Sequence, residues 1–263
     1  MAEAAKNIGF DGVDLTVRPK GHVLPERVEE DLPRATEAIK SVGFTPNMFT
    51  SKIVNVDEPY TKTVLKTASD LGYKSYRTGW FKYPEDVTLD DTIENINQQF
   101  KALAELNKSL GLMGGYQNHS GKKNVGAPIW DIPLILKDID PKYLGHHYDI
   151  RHATAEGGQG WAIGLRRVRP HINTIVIKDF HWKIINGKWK IFNTPMGEGM
   201  VDFKRYFSLL KSYNMNLPIS LHCEYDLGGA EKGKSEITIP QQEVFDRMKK
   251  DLTFLREAWA AAE

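Results

Sequence analysis

The feature of this sequence that most constrains its fold is a regular alternation of short apolar strand patterns with amphipathic helix patterns. Several helix patterns end at a glycine, as at Gly43, Gly72 and Gly111, and a β-prone run follows each of them. The predicted strands are Gly12–Val17, Thr45–Ser51, Ser75–Gly79, Met113–Ser120, Leu144–Ile150, Thr174–Phe180 and Leu217–Tyr225. Strands that alternate with helices pair in parallel through right-handed crossovers, so we expect an α/β fold on a parallel sheet.

The number of strands distinguishes a closed barrel from an open sheet. A (β/α)8 barrel needs eight strands, whereas seven are predicted here and the chain opens on a helix pattern. A doubly wound open sheet is the alternative, but the glycine-rich phosphate motif expected of it is absent. We therefore predict a (β/α)8 TIM barrel that lacks its first strand in this chain, with that strand lying upstream of Met1 in the natural protein. The gap is expected between Gly12–Val17 and Leu217–Tyr225.

One insertion interrupts the alternation. The segment Trp182–Phe192 carries Asn186-Gly187 between two alternating runs, which is typical of a β-hairpin. We expect this hairpin to project from the C-terminal face of the barrel, in a loop between a strand and a helix. No linker or short-period repeat divides the chain, so residues 1–263 are predicted to form a single domain.

The composition excludes several functional classes. Lys and Arg number 35 and Asp and Glu number 34, so a net charge of +1 leaves no electrostatic footprint for nucleic acid or for a membrane surface. The single cysteine, Cys223, excludes an intrachain disulfide framework and a multi-cysteine zinc site. No apolar run approaches the ~18 residues that a membrane span needs. We expect a cytoplasmic protein, unless an upstream segment carries a signal. Assembly into a homo-oligomer is compatible with the sequence.

Most of the chemically reactive side chains fall at the ends of the last four predicted strands. Six of the eight histidines lie there: His119, His146, His147, His152, His181 and His222. In parallel α/β folds these strand ends form the active site, and polar groups inside a barrel need partners or a ligand. The clustering therefore predicts a functional site at this rim.

Asp149 and Glu224 are the most informative pair, because each ends an apolar strand. Carboxylates in that position suit a divalent cation, and the alternative is that each caps the next helix or pairs with a lysine or arginine. Lys178 has two interpretations of its own, contact with a substrate oxygen or an ion pair with Asp149 or Asp179. Trp80 offers a surface on which a sugar can stack.

Taken in chain order, the strand-end motifs resemble the sugar isomerase/epimerase superfamily, the xylose isomerase-like TIM barrels. These motifs are Tyr116–His119, Tyr148–His152, Val176–Phe180 and His222–Tyr225. Gly9–Asp14 is similar to the family's second-strand signature, and Pro195–Gly199 resembles the turn before its last helix. The resemblance extends over essentially the whole chain.

The resemblance implies one divalent metal ion (Mn, Mg, Co or Zn) held by Glu, Asp, His and Glu from the last four strands. Matched by position, Asp149 and Glu224 are the second and fourth ligands, whereas Gln117 and Val176 stand at the first and third. Gln117 can coordinate through its amide oxygen but cannot act as a base, and Val176 cannot bind metal. Two alternatives stay open: imidazole from His119, His152 or His181 completes the ligand set, or the metal is bound weakly or is absent.

The resemblance also implies a metal-dependent sugar isomerase or epimerase that acts beside a sugar carbonyl. Family epimerases use two glutamates, and Gln117 breaks that pair, so a one-base reaction of a keto-sugar lyase or dehydratase is the finer hypothesis. The expected catalytic residues are Glu224, His119 and Lys178. The expected substrate-binding residues are Arg18, Trp80, His152 and His222. A non-catalytic carbohydrate-binding barrel is the second hypothesis.

Overall fold

The chain folds into strands and helices that alternate along most of its length, and the computed structural model describes all 263 residues. The strands are β1 (Asp14–Thr16), β2 (Met48–Thr50), β3 (Ser75–Arg77), β4 (Met113–Gln117), β5 (Leu144–Asp149), β6 (Ile172–Ile177), β7 (Asp179–Ile185), β8 (Lys188–Thr194) and β9 (Ile219–Leu221). The α-helices are α1 (Ala2–Ile8), α2 (Val28–Ser41), α3 (Thr61–Asp70), α4 (Leu89–Leu110), α5 (Ile132–Ile135), α6 (Ile150–Gly157), α7 (Trp161–Val168), α8 (Phe203–Ser212) and α9 (Gln241–Ala261). None of these helices has the length and apolar character needed to cross a membrane.

Seven strands form one parallel sheet that follows the chain order β1-β2-β3-β4-β5-β6-β9. Leu15 lies opposite Phe49 at one end of the sheet and Asp149 opposite Val176 near the other, and the register of the β5–β6 pair shifts between His146 and His147. A doubly wound sheet would reverse its strand order at a switch point, and no reversal occurs here. The predicted TIM-barrel type of fold, one strand short, is therefore confirmed.

The two edge strands, β1 and β9, face each other across a gap that no backbone ladder closes. A side chain bridges it instead: the Ser220 hydroxyl of β9 donates to Asp14 Oδ2 at 2.9 Å, while Thr50 of the neighbouring β2 donates to Asp14 Oδ1 at 3.1 Å. A cavity of about 950 Å³ is lined by both edge strands and by apolar side chains of α1 and α9. The gap lies where the sequence predicts the missing strand, so the barrel is nearly closed rather than closed.

The hairpin between β6 and α8 is longer than the sequence predicts. Strands β7 and β8 pair antiparallel from Asp179 opposite Thr194 to Ile185 opposite Lys188. Asn186 and Gly187 form the turn with φ angles of 53° and 70°, the left-handed conformation that these two residue types tolerate best. The hairpin is joined to the rest of the barrel at its base, where Asn193 accepts a hydrogen bond from Arg151 at 2.6 Å.

The segment between β5 and β6 forms two short helices. Helix α6 begins immediately at Ile150, because the Asp149 carboxylate accepts a hydrogen bond from the backbone N–H of His152 and so caps the helix. The glycine-rich residues Gly158–Gly160 form a short 3-10 turn that leads into α7. The end of β5 is thus tied directly to the start of a helix.

Asp179 anchors the chain directly after β6. Its carboxylate accepts hydrogen bonds from the backbone N–H groups of Phe180, Gly197, Gly199 and Val201, all between 2.8 and 3.1 Å. A side chain at position 199 would come within 2.2 Å of this carboxylate, so only glycine fits there. The turn before α8 is thus clamped to the end of β6, and the clamp fixes the backbone beside Lys178.

Candidate functional site

The predicted site residues converge at the C-terminal rim of the barrel. Gln117 ends β4, Asp149 ends β5, Lys178 directly follows β6 and Glu224 lies shortly after β9. Several of the predicted side chains line one cavity: Arg18, Trp80, Gln117, His119, Lys178, His222 and Glu224. Asp149 and His152 lie behind this surface, where each is at most 1% exposed. The catalytic and binding roles of these residues stay predictions.

Lys178 lies at the centre of the cluster. Its ammonium nitrogen is 3.2 Å from Asp149 Oδ2 and 3.0 Å from Glu224 Oε1, and its side chain is only 4% exposed. An ion pair with so little access to water is screened weakly, so the lysine position is held by charge as well as by packing. Of the two interpretations of Lys178 from the sequence, the ion pair with Asp149 is observed, and the pair extends to Glu224.

Asp149 is completely buried, and both of its carboxylate oxygens are in use. Oδ1 accepts from the His152 backbone N–H at 3.1 Å, and Oδ2 accepts from the side-chain nitrogen of Gln117 at 2.7 Å. Together with the contact from Lys178, these interactions satisfy the charge of the carboxylate. Both structural alternatives for Asp149, a helix cap and an ion pair, are therefore present at once.

Glu224 is the exposed member of the ion-pair cluster, with 39% of its side chain accessible. His222 Nδ1 lies 3.5 Å from its Oε1, on the same oxygen that contacts Lys178. Burial of the carboxyl group by itself raises the pKa, but the interactions with His222 and Lys178 hold the pKa of Glu224 well below its usual range. Glu224 is therefore a carboxylate at all physiological pH values, and a weak base.

Two histidine rings, tilted by 37°, pack beside the lysine with centroids 4.0 Å apart, and the hydrogen bonds around them fix their tautomers. The Ser120 backbone N–H donates to His152 Nδ1 at 3.0 Å, so the proton of this neutral ring is on Nε2. His119 makes the opposite choice, because its Nδ1 donates to the carbonyl oxygen of Ser120 at 2.8 Å. His119 Nε2 is consequently unprotonated and able to accept a proton.

The electrostatic surroundings keep both imidazoles neutral. Burial lowers the pKa of His119, the hydrogen bond to Ser120 partly opposes this effect, and the positive charge of Lys178 lowers the pKa further. Burial and then the charges of Lys178 and Arg151 place the pKa of His152 well below its usual value. A neutral His119 at the cavity wall satisfies the basic requirement for a general base near neutral pH.

Trp80 and two arginines extend the cavity wall beyond His119. The indole of Trp80 packs against His119 with ring centroids 4.8 Å apart, and the guanidinium of Arg77 lies 4.0 Å from the indole centroid. Burial lowers the pKa of Arg77 to about 10. Arg18 also lines the cavity, and its Nε has no protein partner. This wall combines an aromatic face with donors, as sugar-binding surfaces do.

Three supporting residues are missed by the sequence reasoning. Arg151 lies 2.8 Å from His152 Nδ1, Ser120 sets the tautomers of both histidines, and Asp14 lies 4.0 Å from His222 Nε2. Arg151 falls within the motif Tyr148–His152, and Ser120 directly follows His119. Their position in or next to a strand-end motif is the sequence feature that could have indicated a role in the site. Nothing in the sequence indicates that Asp14 reaches across the gap to β9.

The residues present do not fit the divalent metal that the resemblance implies. Nowhere in the chain do three or more His, Cys, Asp or Glu side chains converge so as to hold a metal ion. Gln117 directs its nitrogen at Asp149, Val176 is fully buried at the third ligand position, and Nε2 of His152 carries a proton. A cation needs lone pairs directed at one point, whereas this cluster directs N–H groups at the carboxylate.

Comparison with solved structures shows the same fold in several proteins. The 3-keto-D-glucoside 4-epimerase from E. coli is 15% identical with a TM-score of 0.70, covering 97% of this chain and 92% of its own. The probable 3-DHS dehydratase AsbF from Bacillus anthracis is 15% identical with a TM-score of 0.67, covering 96% and 92%. A xylose isomerase-like TIM barrel protein from Mycobacterium smegmatis in complex with magnesium is 14% identical with a TM-score of 0.63, covering 98% and 88%.

At these identities the likeness shows a common fold, and the family assignment comes from the sequence itself. A search of curated proteins found no match to this chain. The family model described as "Xylose isomerase-like TIM barrel" matches residues 2–257. That match includes all the strand ends that form the cavity wall, from β1 to β9. The chain therefore belongs to the xylose isomerase-like TIM barrel family.

Proposed function

We propose that this protein is a sugar-modifying enzyme that removes a proton from the carbon beside a sugar carbonyl. The observation that carries this proposal is one cavity wall with three complementary parts: the unprotonated Nε2 of His119, the ammonium of Lys178 and the indole of Trp80. A base beside a cationic donor is what proton abstraction next to a carbonyl requires. The proteins of the same fold named above include both a keto-glucoside epimerase and a dehydratase.

The substrate in this proposal is a small keto-sugar. The face of Trp80, 36% exposed, packs against the C–H groups of the sugar ring, and Arg18 and His222 donate to its hydroxyl groups. His152, which the sequence suggested as a binding residue, lies too deep for direct contact and instead positions its neighbours through its stacked ring. No nucleic acid or membrane partner enters the proposal, since the net charge is +1.

The distribution of bases favours elimination over epimerisation. Epimerisation needs a proton acceptor on one face of the substrate carbon and a proton donor on the other. Gln117 has no titratable group, and Glu224 is held as a weak base by Lys178 and His222. We therefore assign His119 as the base, in a lyase or dehydratase reaction in which the proton leaves to His119 and a group departs from the neighbouring carbon.

Solvent exchange and product analysis test this function. The purified protein is incubated with ketoses and 3-keto-glycosides in D2O, and NMR measures deuterium at the carbon beside the carbonyl and the appearance of an unsaturated product. We expect exchange or elimination with a 3-keto-glycoside, and a loss of about 100-fold or more in His119→Asn. Lys188→Ala, at an exposed hairpin position, is the matched control with unchanged rate.

A different result supports the second candidate. Gln117 and Val176 both remove chemistry that the resemblance assigns to the site, which favours a carbohydrate-binding barrel without activity. If the same sugars bind in calorimetry yet show neither exchange nor turnover, this binding function replaces the enzyme. Binding that is lost in Trp80→Ala would then locate the sugar in the same cavity.

A further inference from the structure

We propose that Lys178 is the resident cation of this site and takes the place of a divalent metal ion. As to catalysis, the inference rests on the proposed function, because it assigns Lys178 to the oxygen that gains charge when the proton leaves. The starting observation is that one ammonium group contacts both Asp149 and Glu224, at 3.2 and 3.0 Å. These are the two carboxylates that the sequence assigns to metal ligation.

The position of this ammonium group is determined by the backbone. Lys178 follows β6 directly, and the next residue, Asp179, is held by four backbone N–H groups of the turn before α8 and of its own neighbour. The lysine side chain is only 4% exposed, and both carboxylates lie within 3.2 Å of its ammonium nitrogen. A metal ion between the two carboxylates would have to occupy the space that Nζ already fills.

The neighbours of Asp149 repeat this preference for N–H groups. Gln117 donates to Oδ2 at 2.7 Å, and the protonated Nε2 of His152 lies 3.5 Å from the same oxygen. With Lys178 included, three N–H donors surround one carboxylate oxygen. A divalent cation would have to displace these donors and approach a fixed positive charge, and both changes oppose binding.

The lysine can donate a hydrogen bond to a substrate. Asp149 and Glu224 lie at ion-pair distance from its ammonium group, which carries three N–H donors, and His152 Nε2, 3.2 Å away, cannot accept one of them because it carries a proton itself. Lys178 also lines the cavity. An N–H of the ammonium group is therefore available to a carbonyl oxygen of a bound sugar.

The reaction step balances without a further reagent. The C–H bond beside the carbonyl breaks, its proton goes to His119 Nε2, and its electron pair becomes the carbon–carbon double bond of an enolate. The carbonyl oxygen gains the negative charge, and the Lys178 N–H hydrogen bond stabilises that charge. In the elimination that follows, the C=O bond re-forms, the electron pair of the enolate double bond forms a new double bond to the next carbon, and the group on that carbon leaves with its bonding pair. The leaving group takes up the proton that His119 holds, which returns the imidazole to its neutral form.

Metal binding without any substrate tests the inference. Wild-type protein is purified without chelator, and its metal content is measured by mass spectrometry. Its melting temperature is then recorded with and without MnCl2 at about 1 mM, a concentration high enough to fill a typical carboxylate site. We expect no stoichiometric metal and no change in the melting temperature. The proposal is overturned if the protein holds about one metal ion per chain. It is also overturned if Mn²⁺ raises the melting temperature of wild type and this increase is lost when Glu224 is replaced.

Variants at position 178 sharpen the test. Lys178→Met removes the ammonium and leaves Asp149 and Glu224 without the cation that they share, so Mn²⁺ should raise its melting temperature by several degrees. Lys178→Arg keeps the charge and should stay unresponsive, as should Lys188→Met on the exposed hairpin. If Lys178→Met folds and its melting temperature does not change with Mn²⁺, the claim that the ammonium group and a metal ion would occupy the same position is contradicted. If this variant does not fold, the measurements on the wild-type protein test the proposal.

Failure of this inference is distinguishable from failure of the proposed function. The metal measurements need no sugar, so an inactive protein that binds no metal leaves the assignment of the resident cation standing. Conversely, a protein that turns over keto-sugars but loses activity in chelator, and regains it with Mn²⁺, keeps the proposed function and refutes the role of Lys178.

Discussion

The side-chain nitrogen of Gln117 lies 2.7 Å from Oδ2 of Asp149, and both side chains are shielded from solvent. The resemblance to the family places a glutamate at the position of Gln117, beside the aspartate. Here an amide donor replaces that carboxylate, and the buried negative charge of Asp149 is satisfied by a hydrogen bond. This pair, together with Lys178, is the basis for proposing that an ammonium group takes the place of a metal ion.

Restoring the carboxylate with Gln117→Glu should destabilise the protein. Two buried carboxylates at hydrogen-bond distance raise the pKa of the pair, so at pH 8 the free energy of unfolding should fall by on the order of 3 kcal/mol. The loss should shrink as the pH falls through the raised pKa, because the pair then shares a proton. Urea denaturation at pH 5 and pH 8 measures this, and Gln117→Leu is the uncharged control.

The same Gln117→Glu variant should not improve the native reaction, since elimination needs one base. Its turnover of the best keto-sugar is expected to stay at or below that of wild type. The appearance of slow epimerisation would be consistent with this prediction. An increase in the native rate would contradict the one-base assignment. Product analysis by NMR separates the two reactions.

Glu224→Ala should affect activity far more than stability. Its side chain is 39% exposed, so its loss leaves little buried volume, whereas Lys178 loses the partner that orients its ammonium group. We expect kcat/KM to fall by about 100-fold or more, with the free energy of unfolding changed by less than about 1 kcal/mol. Glu198→Gln, which removes an exposed ion pair with Lys250, is the control.

The pH dependence of kcat/KM should be set by His119. Burial and the nearby charges of Lys178 and Arg151 lower the pKa of His119, whereas Asp149 and the Ser120 carbonyl oppose this effect. The ring therefore stays neutral to a lower pH than an ordinary histidine does. Activity should therefore rise with pH through a pKa below 6.5 and be constant above it, because only the neutral ring accepts a proton. An acid limb centred at or above the ordinary histidine value would assign the base elsewhere.

The bridge across the open edge of the barrel should contribute measurably to stability. Ser220→Ala removes the hydrogen bond at 2.9 Å between β9 and Asp14, which is one of the few contacts joining β9 to β1. We expect the free energy of unfolding to fall by about 1 kcal/mol. Ser208→Ala, which removes a hydrogen bond within α8, is the matched control and should change it by less than about 0.5 kcal/mol.

The architecture follows from local patterns along the chain. Alternating strands and helices imply parallel pairing, which is why the order of the sheet, the position of the gap beside Gly12–Val17 and the hairpin at Asn186-Gly187 were all predictable. The collection of Gln117, Asp149, Lys178 and Glu224 at one rim follows from the same rule. Strand lengths and the cap on α6 were less predictable, because they depend on single hydrogen bonds.

The sequence alone thus determined which chemical groups stand at the rim of this barrel, since strand order and strand direction deliver them there. Only the tertiary structure decided how those groups pair. The contact of Lys178 with both carboxylates, the amide of Gln117 on Asp149 and the opposite tautomers of His119 and His152 depend on distances between strands that are far apart in the chain. Those distances are set by how far the seven strands curl and by the clamp at Asp179, neither of which a pattern of residues along one chain encodes.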